Sequence, residues 1–572
     1  MALDYGIIGN CKTAALVKRD ASIEWLCFPI FDSPSVFAKI LDPGAGSFEI
    51  IPDGNYRTKQ NYVKNTNVLE TVFSNGTDEF AVIDYAPLEG DCIHRILKPL
   101  KGKPKLKIIY QPRLDYARGE TVLRKKGPYL AAENKDKSIA LFSNLDYGII
   151  ENSDQFELEK ELFFVVGDGG TPSSDEIKQA LENTLSYWRE YLAFYKLPEF
   201  HKEEVARSVL TLRILTYEPT GAMIAAATTS IPEIAGGVRN WDYRYCWIRD
   251  GAFAASSLVK LGYMREAERF INFMKTAYLK NKTLQIMYKV DGGTNLEEST
   301  LDHLAGYKNS KPVRIGNAAF LQLQIDVVGE LLALINDVYK KELDEEMSKF
   351  VRYLVDLATI LRKKKDNGIW EFRNIEEHFV FSKLMSWVAI DRGIQLAERF
   401  KKPWPVDEWK AAREELRTEI LEKGWNGKAF TMYYGSDALD ASVLVMHHYG
   451  FIDPSDEKFV STVKEIDKEL NKEGFAFRYV MRDDFGKPQN TFILCTFWLI
   501  DALHATGEKQ KAAQMLENMI KHSNHLGLLS EGIDMANKEL TGNFPQAYSH
   551  TALINTVLRL SKQSSPDDTK SL

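Results

Sequence analysis

The period of the apolar residues changes once along this chain, near Asp175, and that change constrains the fold more than any other feature. Upstream of it, short apolar or β-branched runs recur at Ala14–Val17, Val68–Phe73, Phe80–Tyr85, Leu106–Gln111, Ser138–Phe142 and Phe156–Val166. Turn formers punctuate them, as at Ser74-Asn75-Gly76-Thr77 and Gly167-Asp168-Gly169-Gly170. Short strands separated by such turns are the pattern of a β-sandwich. The Gly167 cluster is not GxGxxG and opens no βαβ unit, so it reads as a hairpin or loop and not as a phosphate cradle. Downstream, apolar residues return every three or four positions, which places them on one side of a helix. Asp175–Tyr195 reads as a linking helix. Helical segments follow near 200–216, 250–261, 264–278, 316–339, 344–362, 382–400, 406–422, 436–449, 456–469, 491–505, 508–521 and 545–561. Their even number fits six hairpins closed into a barrel, and periodicity alone equally allows an α-solenoid. No residue pattern repeats at a fixed period, which weakens the solenoid.

A chain of 572 residues is too long for one ordinary core, so two or more domains are expected. The net charge of −7 is spread over intermixed acids and bases. A nucleic-acid footprint would be basic and clustered, so that class is set aside. Cys11, Cys27, Cys92, Cys246 and Cys495 are scattered and show no CxxC pairing, which fits reduced thiols better than a disulfide framework or a zinc site. The start, Met-Ala-Leu-Asp-Tyr, has no secretory pattern, and no stretch approaches a membrane span. The expected location is the cytoplasm, with no membrane, nucleic-acid, metal or cofactor partner; a homo-oligomer stays open. His447-His448 are adjacent on a helical segment and form no metal set, and Asp483-Asp484 before Gly486 lacks the alternating spacing of a calcium loop.

Residues 240–250, Asn-Trp-Asp-Tyr-Arg-Tyr-Cys-Trp-Ile-Arg-Asp, interleave four rings with two Asp and two Arg. A core helix would not hold so many charges, nor a solvated surface so many rings. The mixture suits the wall of a site for a hydroxyl-rich ligand: rings stack on sugar C–H faces while Asp and Arg bond hydroxyls in pairs. A buried aromatic cluster with satisfied charges fits this stretch as well.

That stretch resembles the signature of family 15 glycoside hydrolases, which include glucoamylases, related exo-α-glucosidases and some microbial trehalases. The resemblance runs in order from Asp4-Tyr5-Gly6-Ile7-Ile8-Gly9-Asn10 through Ser22-Ile23-Glu24-Trp25-Leu26-Cys27 and Phe31-Asp32-Ser33-Pro34. It continues at Leu284-Gln285-Ile286-Met287-Tyr288, Gly316-Asn317-Ala318-Ala319, Gly368-Ile369-Trp370-Glu371 and His378-Phe379, and ends near Leu529-Ser530-Glu531-Gly532. It implies a multidomain chain: an N-terminal all-β super-sandwich over 1–174, a helical linker over 175–199 and an all-α (α/α)6 barrel over 200–565.

Glycoside hydrolysis needs one protonated carboxyl, to protonate the leaving oxygen, and one ionised carboxyl, to attack or to activate water. Glu371, flanked by Ile369-Trp370 and Phe372, has apolar neighbours that can keep a proton on it. The resemblance makes it the general acid, against Glu376 and Glu377 in a more polar stretch. Those two acids before His378-Phe379 depart from the basic character expected there and touch on which leaving groups are accepted. Glu531 follows an apolar run and precedes a glycine, and the resemblance makes it the general base, with Asp534 as rival. It also assigns substrate contacts to Tyr243, Trp247, Arg249, Asp250, Trp370 and Arg478. Asp250 also suits a helix N-cap, and Arg478 a salt bridge to Asp483 or Asp484. Trp241 is a wall or core residue.

The reading is an inverting exo-acting α-glucosidase, glucoamylase-like, releasing β-D-glucose from non-reducing ends of α-1,4- or α-1,6-glucosides, with trehalase as the alternative. Inversion needs the two carboxyls roughly 6.5–9.5 Å apart. A phosphorylase would replace the base with an anion site, and no Gly-rich nest is evident. A sugar-binding protein without activity would not need both glutamates.

Overall fold

The computed structural model describes residues 3–168 and 170–562. Gly169 of the expected turn and the last three residues of the expected 200–565 domain lie outside them.

The N-terminal part is a sandwich of two antiparallel sheets. The seven-stranded sheet runs Tyr5–Gly9, Ala14–Lys18, Ile23–Cys27, Ser47–Pro52, Lys105–Gln111 and Gln155–Glu157, with Ser35–Phe37 beside Ile23–Cys27. The eight-stranded sheet runs Val122–Lys126, Tyr129–Asn134, Lys137–Ser143, Leu162–Asp168, Asp91–Lys101, Glu79–Tyr85, Leu69–Ser74 and Arg57–Tyr62. Burial alternates residue by residue along Leu69–Ser74, which is the signature of a strand with one face on a core. Phe48 of one sheet meets Phe164 of the other edge to face, 5.5 Å between ring centroids.

Two expectations change here. Phe156–Val166 is two strands in different sheets, split at the charged Glu159-Lys160-Glu161, which cannot enter the shared core. Gly167 is not in a loop. It pairs with Cys92 and Ala140 inside the eight-stranded sheet. Its φ of +139° and an added Cβ only 2.2 Å from the Asp91 carbonyl explain why a glycine stands there.

The Ser174–Ala193 helix, opened by a Ser173/Glu176 capping box, leads into the second domain. There, six helices form an inner ring: Ile248–Lys260, Asp326–Val338, Val380–Arg399, the 3₁₀ segment Ala441–Tyr449, Ile493–Ala505 and Ala547–Lys562. Each packs on the next, and the last packs on the first. Lys202–Ile214, Arg265–Asn281, Glu345–Leu361, Val406–Lys423, Glu457–Glu469 and Lys509–Lys521 lie outside them. This is a closed (α/α)6 barrel. The ring is tight at Gly329, where a Cβ would stand 2.1 Å from the Met385 carbonyl oxygen of the neighbouring inner helix.

The expected helix over 316–339 begins only at Asp326. Asn317 instead caps a separate 3₁₀ turn, Ala318–Leu321, by accepting from the Ala319 amide. No helix among the described residues is long and apolar enough to cross a membrane.

Candidate active site

The barrel opens on a pocket at the N-terminal ends of its inner helices, with an open volume of about 830 Å³. Tyr243, Trp247, Arg249, Asp250, Trp370, Glu371, Arg478 and Glu531, brought together from four loops, all line it. Glu376, Glu377 and Asp534 do not; Glu377 pairs with Lys365 at 2.8 Å.

The 240–250 stretch is held from the sandwich side. Arg244 is fully buried, bonds Asp242 through Nε at 2.9 Å and Nη2 at 2.6 Å, and donates to the Ser33 carbonyl and the Tyr116 hydroxyl at 2.8 Å each. Trp25 donates to the Ala227 carbonyl at 2.7 Å. The β-domain thus clamps the segment whose residues Tyr243 and Trp247 face the pocket.

Asp250 does not cap a helix. It lies inside the first turn of Ile248–Lys260, where the helix N-terminus favours its charge. Its Oδ2 has no protein hydrogen-bond partner although the residue is buried. An orphaned buried carboxylate oxygen facing a pocket is suited to a substrate hydroxyl. Burial pushes this carboxyl up to about 7, Arg249 opposing and Glu371 adding to it. Arg249 is fixed by Gln324 at 2.7 Å, by Asp326 at 3.3 Å and by the Tyr548 hydroxyl.

Glu371 stands in a left-handed backbone conformation, φ +59°. Such strain at a glutamate persists only where surroundings impose it, and such sites are enriched in function. Gln322 binds the Glu371 and Phe372 carbonyls, at 3.2 and 3.1 Å, and Asn367 binds the Phe372 carbonyl at 2.9 Å. The turn aims the side chain into the pocket, where Oε1 accepts from the Trp247 indole at 2.8 Å and from Arg249 at 3.2 Å. Both donors take the same oxygen. Among the described residues no protein donor takes Oε2. Trp370, its neighbour, spans both oxygens of buried Asp440 at 3.0 Å.

The enclosure expected around Glu371 surrounds Glu531 instead. Glu531 is 1% exposed, whereas the Glu371 side chain is 23% exposed because its turn lifts it away from buried Ile369 and Phe372. Glu531 Oε1 accepts from the Tyr243 hydroxyl at 2.6 Å. Burial, then Glu233, push the Glu531 carboxyl up to about 8, against the Tyr243 hydrogen bond and Arg478. Gly542, at φ +80°, makes room for it: an added Cβ would come within 2.3 Å of Oε2.

Arg478 does not pair with Asp483 or Asp484. It grips Glu233 with two bonds of 2.9 Å, while Asp483 takes Arg239 at 2.5 Å and Asp484 holds the Arg373 amide at 2.7 Å. Trp241 is a wall at the mouth, with Arg314 and Arg373 over its ring at 4.5 and 4.6 Å. Glu233, Tyr548, Asp326, Arg239 and Arg373 do not stand out in the sequence. Ala222–Ala227 is apolar, but Thr228-Thr229-Ser230 separates it from Glu233, so no local pattern marks that residue.

The sequence model described as "Glycosyl hydrolases family 15" matches residues 199–558, and the one described as "Trehalase-like, N-terminal" matches residues 4–158. A protein named trehalase from Thermoplasma volcanium is 35% identical, over 97% of this chain and 93% of its own. One named trehalase from Mycolicibacterium smegmatis is 34% identical, over 97% of this chain and 91% of its own. Among solved structures, a bacterial glucoamylase complexed with acarbose shares the fold, with a TM-score of 0.73 at 14% identity over 97% of this chain and 94% of that one.

Proposed function

The chain belongs to family 15 of the glycosyl hydrolases and is a glucosidase-like glycoside hydrolase, and on that premise we propose that it hydrolyses α,α-trehalose with inversion at one anomeric carbon. The observation that carries the hydrolytic reading is the convergence of Glu371 and Glu531 on one pocket, each held by the protein through Oε1. The choice of trehalose is supported by relatives named trehalase that match across both domains.

One glucose ring lies against Trp247 and Tyr243, with its hydroxyls on Arg249 and on the open Oδ2 of Asp250. Glu371 presents a proton from Oε2 to the glycosidic oxygen. Glu531, ionised, takes a proton from a water that attacks C1 on the opposite face, which a carboxyl separation of roughly 6.5–9.5 Å would accommodate. As C1 gains positive charge, the Tyr243 oxygen and the Glu531 carboxylate stabilise it. The second ring meets the paired charges of Arg239–Asp483, and Arg478, gripped by Glu233 beside Glu531, borders the first ring. The domains behind this chemistry are taken as 1–174, 175–199 and 200–565, and the location as cytoplasm, which five buried free cysteines support.

A second reading is exo-release of β-glucose from α-1,4- or α-1,6-glucosides. It is favoured by Leu321, 77% exposed, next to the Gln322 that holds the Glu371 turn: an apolar ledge for further sugar rings.

Early-time NMR of the products separates the readings. Inverting cleavage of trehalose gives α- and β-glucose in equal amounts, because the leaving ring keeps its configuration. Exo-cleavage of maltotetraose gives only β-glucose. Trehalose left intact while maltotetraose is consumed would overturn the substrate, and only α-glucose from trehalose would overturn inversion.

A further inference from the structure

The inner helices that meet the active pocket with their first turns line a second cavity with their later ones. On Ile248–Lys260, Arg249 and Asp250 face the active pocket and Phe253 the second cavity. On Asp326–Val338, Asp326 holds Arg249 and Glu330, one turn on, lines the second cavity. On Ala547–Lys562, Tyr548 lines the first and Thr551 the second. This cavity lies towards the opposite end of the barrel, and its open volume is about 940 Å³.

Its lining repeats the chemistry of a sugar pocket. Phe253, Tyr449 and Trp498 supply ring surface. Both carboxyl oxygens of Glu330 and the hydroxyl of Thr551 are buried without a hydrogen-bond partner in the protein, each residue being 2% exposed. Buried groups of this kind call for donors and acceptors from something that enters. Burial, with Asp326 beside it, pushes Glu330 well above the usual carboxylate range, and a protonated carboxyl both gives and accepts a hydrogen bond. The cations are engaged: Arg559 on Asp501, Arg392 on Asp391 and the Tyr449 carbonyl, and Lys260 on Asn555 at 2.9 Å. An anion would have to break these pairs; a neutral ligand would not.

We propose that this cavity is a second binding site, for a neutral polyhydroxylated molecule of monosaccharide size, which acts on the active pocket through pairs of rings, one from each cavity, that pack on each other. Trp498 stands 6.3 Å from Trp370 of the active pocket, and Phe253 stands 5.8 Å from Tyr548, centroid to centroid. Occupancy of the second site therefore presses on residues that flank Glu371 and hold Arg249.

The probe is glucose, titrated calorimetrically into the full chain. The expected result is two binding events per chain, and mixed rather than purely competitive inhibition by glucose. Ala333→Trp and Ser256→Trp, each filling the cavity from a partly exposed position, remove one event and the non-competitive part of the inhibition. Glu330→Gln, which keeps the shape, weakens the second event by about tenfold. A single event in the unmutated chain, no binding, or two events that survive both filling variants overturns the proposal. Binding is counted without turnover, so the outcome is independent of which glycoside the enzyme cleaves.

Discussion

Tyr243 and Trp247 stand edge to face with ring centroids 5.6 Å apart, and each gives a hydrogen bond to a different pocket glutamate, Tyr243 to Glu531 and Trp247 to Glu371. One short loop thus positions both carboxyls. Tyr243→Phe removes a bond to a charged acceptor, of order 1.5–3 kcal/mol, so kcat falls about 10–100-fold. The Tyr243 bond lowers the Glu531 pKa, so its loss raises that pKa and moves the acid limb of kcat/KM upward. Trp247→Phe lowers kcat without moving that limb. Steady-state kinetics across pH separates the two; a Tyr243→Phe profile that keeps the parent limb contradicts the Glu531 assignment.

A buried base pushed up to about 8 is ionised only as pH rises through that value, so the acid limb of kcat/KM lies well above the ordinary glutamate range. Glu233→Gln removes the like charge and releases Arg478 towards Glu531. Both changes favour the carboxylate, and the limb moves down. Stability runs the other way. The folded pKa of Glu531 is above its unfolded value, so the stability its neutral form allows is fully present below about 4.3 and is lost as pH rises through about 8. Glu531→Gln is therefore close to the parent in Tm at pH 4 and above it at pH 9. The gain at pH 9 amounts to a few kcal/mol, each tenfold change in proton affinity being worth roughly 1.4 kcal/mol. Equal Tm differences at the two values would contradict this.

The change of period near Asp175 makes the two-domain plan readable, because strands and helices bury different residue spacings. The ring of Ile248–Lys260 through Ala547–Lys562 is legible to within a few residues, except where a capped 3₁₀ turn at Ala318–Leu321 imitates a helix start. Site residues are legible where they share one segment, as Tyr243, Trp247, Arg249 and Asp250 do. Tyr548, Gln324 and Asp326 are not, because what marks them is the approach of two other helix starts to Arg249, which no local spacing encodes. The environment of Glu371 is hidden for a related reason: its flanking residues are apolar, but a positive φ turns the carboxyl away from them towards Arg249.

Gly542 is a steric requirement of the base. An alanine there meets Glu531 Oε2 at 2.3 Å and takes an unfavourable φ of +80°. Strain of this kind costs about 1–3 kcal/mol, which a chain this size survives. Displacement of the carboxyl by about 1 Å costs on the order of 100-fold in rate. Gly542→Ala is expected to fold, with a modestly lower Tm, and to lose kcat far more than KM changes. A fully active Gly542→Ala would place the base elsewhere.

Arg244 tests whether the sandwich is needed for the chemistry. It touches no pocket group, yet it joins Asp242 to Ser33 and Tyr116 across the domain boundary. Arg244→Met leaves the fully buried Asp242 without its cation, a loss of about 3–5 kcal/mol. Asp242→Asn with Arg244→Met removes both charges and recovers much of that stability, because no uncompensated carboxylate is left. The double variant still lacks the fork that ties the loop to the β-domain. Tm is therefore expected to recover in the double variant while kcat stays low, with Tyr243 and Trp247 no longer held against their glutamates. Recovery of kcat together with Tm would mean that the clamp serves stability alone.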